Sequence, residues 1–205
     1  GKILSSTTTK IAPHPADYDW LITDHFDRLA APSKGVTMAG EPAAGGKLKM
    51  PTTINPFASV FPAFDIVYLE ADGSKQLPLK GWADFEPVIL PQTTTTIGVV
   101  PLSVIGQAAD EQLVHRFSLF QRITHVEWGQ PITVQHLAAL ISSPQGLLNK
   151  AVGNRVLFLN QIDYEEQYVL AQQLVDLLPK DTRNSLKQVI GGSAKQEKGR
   201  ILWQT

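Results

Sequence analysis

Tyr68-Leu69-Glu70-Ala71-Asp72-Gly73-Ser74-Lys75 closes the apolar run Asp65-Ile66-Val67-Tyr68-Leu69 with two carboxylates and a glycine. A short apolar run bounded by a turn signal reads as a buried strand, and burial on both faces is the habit of strands in parallel sheets. Glu70 and Asp72 stand two apart, so they share one side at the carboxyl end of that strand. Ligands of open parallel sheets bind outside those carboxyl ends. The pair is therefore a candidate catalytic couple. A carboxylate there can hold Mg²⁺ beside substrate phosphates, with Asp72 the metal-side residue, or it can orient an attacking water. The same residues also suit a tight turn, in which Asp72-Gly73 serves conformation and Glu70 pairs with Lys75.

Working outward, similar runs occur at Lys2–Ser6, Val36–Ala39, Thr95–Pro101, Arg155–Leu159 and Lys187–Ile190, alternating with helical or irregular segments. That alternation predicts an α/β fold with a predominantly parallel sheet and flanking helices. Helices are expected at Tyr18–Leu29, Thr133–Ile141 and Tyr164–Leu178, a Gly- and Pro-rich loop at residues 40–56, and a final edge strand at Ile201-Leu202-Trp203. A chain of 205 residues with 43% hydrophobic residues can bury a sizeable core, and one domain over residues 1–205 is the expectation.

Composition narrows the function. Eighteen basic against nineteen acidic residues predict no bulk attraction to nucleic acid, so any anion must be bound locally. The absence of cysteine removes disulfides, thiolate zinc sites and cysteine nucleophiles. No apolar run reaches the roughly 18 residues of a membrane span and no secretory signal opens the chain, so a cytoplasmic location away from membranes is expected. His14, His25, His125 and His136 lack the spacing of zinc ligands, and no G-x-S-x-G elbow marks a serine hydrolase.

Two further strand ends carry chemistry. The first strand runs into Thr7-Thr8-Thr9-Lys10, three hydroxyls and an ammonium that could meet a phosphate or a metal-bound water. Val156 to Asp163 ends in Asn160-Gln161-Ile162-Asp163, similar to the guanine-reading loop of GTPases, in which the aspartate accepts from the base edge and the asparagine braces the loop. Gln161 stands where that loop carries lysine. Asp163 followed by Glu166 equally suits a capping box for the next helix. Lys47 and Lys49 on the glycine-rich loop, and His115-Arg116 after a helical-looking segment, could hold an anion or simply face solvent.

The order TTTK (7–10), GGKLK (45–49), VYLEADGSKQLPLKG (67–81), FEPVILP (85–91), LVHR (113–116), SSPQGLL (142–148) and FLNQID (158–163) resembles the YqeC family. The resemblance implies a P-loop NTPase-like fold binding Mg²⁺ and ATP or GTP. It also implies an accessory role in maturing selenium-dependent molybdenum hydroxylases or their cofactor. The alternative is a non-catalytic binding protein for a molybdopterin-type cofactor or a client hydroxylase. Thr7, Thr8, Thr9, Lys10, Asn160 and Asp163 would then serve the nucleotide, and Glu70 and Asp72 catalysis, with Asp72 on the metal. Lys47, Lys49, Lys80, His115 and Arg116 would bind anions, and Glu86-Pro87 matches the family's EP pair. Gln161 departs from the family's lysine, and Met50 from a glycine after KLK. Family members usually begin with a strand and a GAGGKTT-type phosphate loop, whereas Gly1-Lys2-Ile3 resembles the start of their second strand, so the first strand and phosphate loop are expected to be missing from this chain. No G-x-x-x-x-G-K-[ST] occurs; at Gly45-Gly46-Lys47, Glu41 and Leu48 hold the first-glycine and hydroxyl positions. Mg-dependent hydrolysis is accordingly an expectation for a longer chain only.

Overall fold

The computed structural model describes residues 1–52 and 54–205, without the side chains of Arg28 and residues 54–56. Thr53, inside the expected 40–56 loop, lies outside the described residues. The chain divides into two compact units, Gly1–Gly73 and Ser74–Thr205.

In the first unit, strand β1 (Lys2–Thr7) is central to a parallel sheet of order β3-β4-β1-β7, with β3 at Trp20–Ile22, β4 at Gly35–Ala39 and β7 at Ile66–Glu70. Apolar Leu4 of β1 joins Phe26, Ala39, Phe57, Val60 and Phe64 in a core fixed by edge-on rings, Phe26 on Phe57 at 5.6 Å and Phe57 on Phe61 at 5.2 Å. Phe57 belongs to helix α1 (Ile54–Ser59). The helix expected over Tyr18–Leu29 is absent: Trp20–Ile22 pair in parallel with Thr37–Ala39, and only Phe26–Arg28 turn, as a 3-10 segment behind a left-handed His25. Aromatic and β-branched side chains beside an open strand favour the ladder over a lone helix. The expected 40–56 loop is largely ordered. Strands β5 (Glu41–Ala43) and β6 (Lys47–Lys49) form a hairpin, joined by β2 (Lys10–Ile11) in a three-stranded antiparallel sheet. Gly45 and Gly46, at φ +74° and +69°, supply the left-handed turn.

The second unit holds a four-stranded sheet of order β13-β12-β11-β9. Its strands β9 (Thr95–Pro101), β11 (Asn154–Asn160) and β12 (Gln188–Ser193) are parallel, and β13 (Lys198–Gln204) is the antiparallel edge. The expected tail strand is thus present. The six strands expected in one sheet are divided three and three between the units. Of the remaining elements, β8 (Leu79–Lys80) pairs in parallel with β10 (Val114–His115), and helix α2 (Phe117–Thr124) follows directly. Helices α3 (Val134–Ser142), α4 (Gln167–Leu177) and α5 (Lys180–Ser185) complete the unit, the first two at the expected places.

Leu137, Leu140 and Ile141 of α3 and Ala171, Leu174 and Val175 of α4 share a core with Val100, Leu157, Leu159 and Val189 of the sheet. The opposite face, which register assigns to Ile97, Val99, Val156, Phe158, Ile190 and Ile201, is apolar yet open: Ile97, Val99 and Ile201 are 51%, 49% and 55% exposed. The fold is therefore mixed α/β with parallel sheets and flanking helices, and burial on both faces holds for only part of it. No helix of the described residues is long and apolar enough to cross a membrane.

Candidate functional site

Parallel pairing brings the ends of β1 and β7 together, with Thr7 opposite Glu70. The Thr8 N–H donates to the Glu70 carbonyl at 2.9 Å, and the Thr7 and Thr8 hydroxyls donate to the same oxygen at 3.1 and 3.2 Å. Thr9 donates its N–H to the Thr7 hydroxyl at 2.9 Å. A phosphate cradle needs those protons pointed at the ligand. Here the Thr7 and Thr8 hydroxyls lie against the main chain of Glu70, and the Thr7 hydroxyl also meets the Thr9 hydroxyl at 3.2 Å. Asp72, half-buried, follows two residues on; Mg²⁺ requires only one or two protein carboxylates beside phosphate oxygens, and Asp72 is the residue that would supply one. The tight turn lies not at Asp72-Gly73 but at Ser74–Leu77, closed by Ser74 Oγ on the Leu77 carbonyl at 2.7 Å, with Lys75 and Gln76 left-handed.

The lysines of the first unit lie on its small antiparallel sheet, where Lys10 and Glu41 both face Lys49 in register. Lys49 Nζ is 3.1 Å from Glu41, and Lys10 and Lys47 are exposed. The Glu41 carboxyl is held down at about 2 by the Thr52 N–H and hydroxyl, then by Lys49. Lys49 therefore already has a matched anion.

In the second unit, β8–β10 pairing sets Lys80 beside His115. Next to it Gly81 lets α2 approach: a Cβ there would stand 2.3 Å from the Phe120 nitrogen. Lys80 Nζ lies 3.0 Å from Glu86 Oε2, and Arg116 grips the same carboxylate through Nη1 and, at 3.3 Å, Nη2. Burial alone would raise the Glu86 carboxyl; hydrogen bonds from Arg116 and Lys80 overcome that and hold it below its ordinary value. His115 is pushed down by burial, then by the charges of Arg116, Lys75 and Lys80, against Glu86.

A third cluster lies at the carboxyl ends of β9, β11 and β12. Asn160 Oδ1 accepts the Ala194 N–H at 3.0 Å. Asp163 Oδ1 accepts from Ser193 Oγ at 2.7 Å and Gln196 Nε2 at 3.1 Å. Left-handed Gln161 turns its carboxamide oxygen to the Ser103 hydroxyl, just past β9. The capping-box reading of Asp163 and Glu166 does not hold. Glu166 makes no side-chain cap, and it is Gln167 Oε1 that accepts the Asp163 and Tyr164 N–H groups, at 2.8 and 3.0 Å. The Asp163 carboxylate is drawn instead to the donors that β12 and its following turn bring alongside.

Sequence reading missed Ser193, Ala194, Gln196 and Ser103. The only available signal was Ser193-Ala194 at the end of the run Val189–Gly192, the second strand tip of the same sheet. Among the described residues, no three His, Asp or Glu side chains gather as a metal cluster.

Comparison with known proteins gives one consistent match. The family model described as "YqeC protein" matches residues 1–118, all of the first unit and the second as far as the Lys80–Glu86–Arg116 cluster. "Uncharacterized protein YqeC" of Escherichia coli (strain K12) is 30% identical over 119 residues, covering 57% of this chain and 46% of that protein. The chain thus aligns with just under half the length of this relative. No solved structure matches the chain.

Proposed function

The chain belongs to the YqeC family, and on that premise we propose that its second unit binds a ligand presenting the hydrogen-bonding edge of guanine, as part of an accessory protein for selenium-dependent molybdenum hydroxylases. The observation that carries this is the exposed Asp163 carboxylate, braced through one oxygen by Ser193 and Gln196 beside Asn160 and the Ala194 N–H. Guanine offers two adjacent N–H donors and a carbonyl. A carboxylate can accept the donor pair. Adenine would set its ring acceptor against the same carboxylate. Gln161 keeps part of an apolar stem but brings no charge, so the preference rests on Asp163.

GTP is the nucleotide this reading favours over ATP. Hydrolysis is not part of the proposal. The inward-turned hydroxyls of Thr7 and Thr8 favour a second reading, binding without turnover. A molybdopterin-type cofactor carries the same 2-amino-4-oxo edge as guanine, so Asp163 would serve it equally.

Isothermal titration with GTP, ATP and neopterin tests both readings. GTP should bind more tightly than ATP, and Asp163→Ala should lose that preference by one to two decades, as leaving paired donors unmet costs about 1–3 kcal/mol. Neopterin binding that also depends on Asp163 favours the cofactor reading. Equal GTP and ATP affinities, unchanged in Asp163→Ala and with no neopterin binding, would falsify both.

A further inference from the structure

Strands of a parallel sheet are apolar on both sides, and such sheets are ordinarily covered on both faces. In the second unit α3 and α4 pack on one face of the β9–β11–β12–β13 sheet, and the other face stands open. We propose that this open face is the contact surface between two copies of the chain, packed sheet against sheet about a two-fold axis. The inference is independent of the base-edge reading and uses none of its residues.

Register is the first reason. Val99, Phe158, Ile190 and Ile201 are successive partners across all four strands, so they form one apolar row from edge to edge. Ile97 and Val156, two residues back along β9 and β11, widen that row on the same side. Ile97, Val99 and Ile201 are about half exposed, whereas Val100, Leu157, Leu159 and Val189, which point the other way, are buried. A contiguous apolar patch of this extent marks an interaction surface.

Charge is the second, and it selects the partner. Around the row stand Thr95, Asn154, Gln188 and Gly199, all uncharged in a chain with 18% charged residues. Arg200 of β13 turns to the helical side, over the Tyr168 ring at 3.4 Å and bonded to Glu165 at 2.8 Å. A polyanion or a charged peptide therefore finds no counter-charge on the open face. An uncharged apolar surface is matched by another of its kind, and a two-fold axis supplies one from the same chain with no like charges opposed.

Area is the third. Four strands about 4.8 Å apart, each contributing about five residues of roughly 3.3 Å, give a face of about 19 by 17 Å. Two such faces bury on the order of 1,000 Å² of accessible surface, the lower bound for a specific interface. A reversible dimer is expected, not a permanent one.

The test is sedimentation of the full chain from low to several hundred micromolar, where a reversible species of twice the 22.5 kDa chain mass should appear. Val99→Lys sets a charge in the apolar row at a half-exposed position and should weaken association about tenfold or more, since a desolvated charge without a partner is costly. Leu177→Lys sets the same charge at a comparably exposed apolar position on α4, the helical side, and should leave association unchanged. Asp163→Ala should dimerise as the wild type does, which separates this proposal from the base-edge reading. Should Val99→Lys fail to fold, Val99→Thr carries the test: it keeps the shape, buries a hydroxyl, and should weaken association by a smaller, measurable factor. Methyl NMR locates the contact, with Ile97, Val99 and Ile201 signals shifting as concentration rises and Leu177 fixed. A monomer throughout the range, association unchanged in both Val99 variants, or concentration shifts confined to the helical side overturns the proposal and gives the open face to a different partner.

Discussion

Glu41 shows how strongly a few donors act on one half-buried carboxylate. Its pKa of about 2 comes from Thr52 first and Lys49 second. A carboxylate whose folded value lies below its unfolded one stabilises the fold above the unfolded value, and that contribution disappears as pH falls toward the folded one. The hairpin contact should therefore persist through pH 4 and fade near pH 2, read from the Thr52 amide shift. Thr52→Val removes the hydroxyl donor and should move the midpoint up toward 4.5, the ordinary value; an unmoved midpoint would leave the main chain and Lys49 as the whole cause. The contact of Glu41 with Thr52 was not legible in the sequence, because it forms only where the hairpin and the segment after it meet. Asn160 and Asp163 stood out as a motif, but their partners Ala194 and Ser193 come from another strand, and the partners that decide between base reader and helix cap are set by sheet order.

Among elements, helix α3 owes its start to Thr133 and His136. The Thr133 hydroxyl accepts the His136 N–H at 3.3 Å, and His136 Nδ1 accepts the Thr133 N–H at 3.2 Å. Burial keeps the imidazole below its ordinary value, and only the neutral ring can accept. Protonation is resisted in the fold and free in the unfolded chain, so this contribution is complete above about pH 6.5 and is lost as pH drops below it. Thr133→Ala, which removes only the hydroxyl acceptor, should cost about 1 kcal/mol in urea denaturation. His136→Ala removes the imidazole acceptor and should cost more at pH 8 than at pH 5; a cost independent of pH would mean that the imidazole does not take part. Helices α3 and α4 were readable because their apolar spacing coincides with their buried faces. The expected helix at Tyr18–Leu29 was not, because Trp20–Ile22 answer to β4, a neighbour that local spacing cannot reveal.

For the whole molecule, the two cores differ greatly in size: the second unit buries Leu157, Leu159, Leu174 and many more, whereas the first gathers around Leu4 and Phe57. Opening free energy rises with such burial, so amides of β11 should exchange most slowly and those of β1 and β7 faster. Phe57→Ala, expected to cost about 3–5 kcal/mol, should accelerate exchange in β1, β4 and β7 and leave β11 unchanged. Equal acceleration in β11 would mean that both cores open together, as a single domain over residues 1–205 requires. The strands were legible one by one, since apolar runs mark them. Their division between two sheets was not, since nothing in an isolated run names its neighbour. Strand order also governs time. Ile3 pairs with Ile66 and Thr95 with Asn154, so these long parallel ladders wait for a distant segment, whereas the β5–β6 and β12–β13 hairpins join close neighbours, Ala43 with Lys47 and Ser193 with Lys198. Loop closure of that length precedes any reward from the ladder, so the chain should fold slowly for its size, the hairpins first and the β1–β7 and β9–β11 pairings last. During that interval the apolar strand edges stand open, and refolding yield should fall steeply as protein concentration rises.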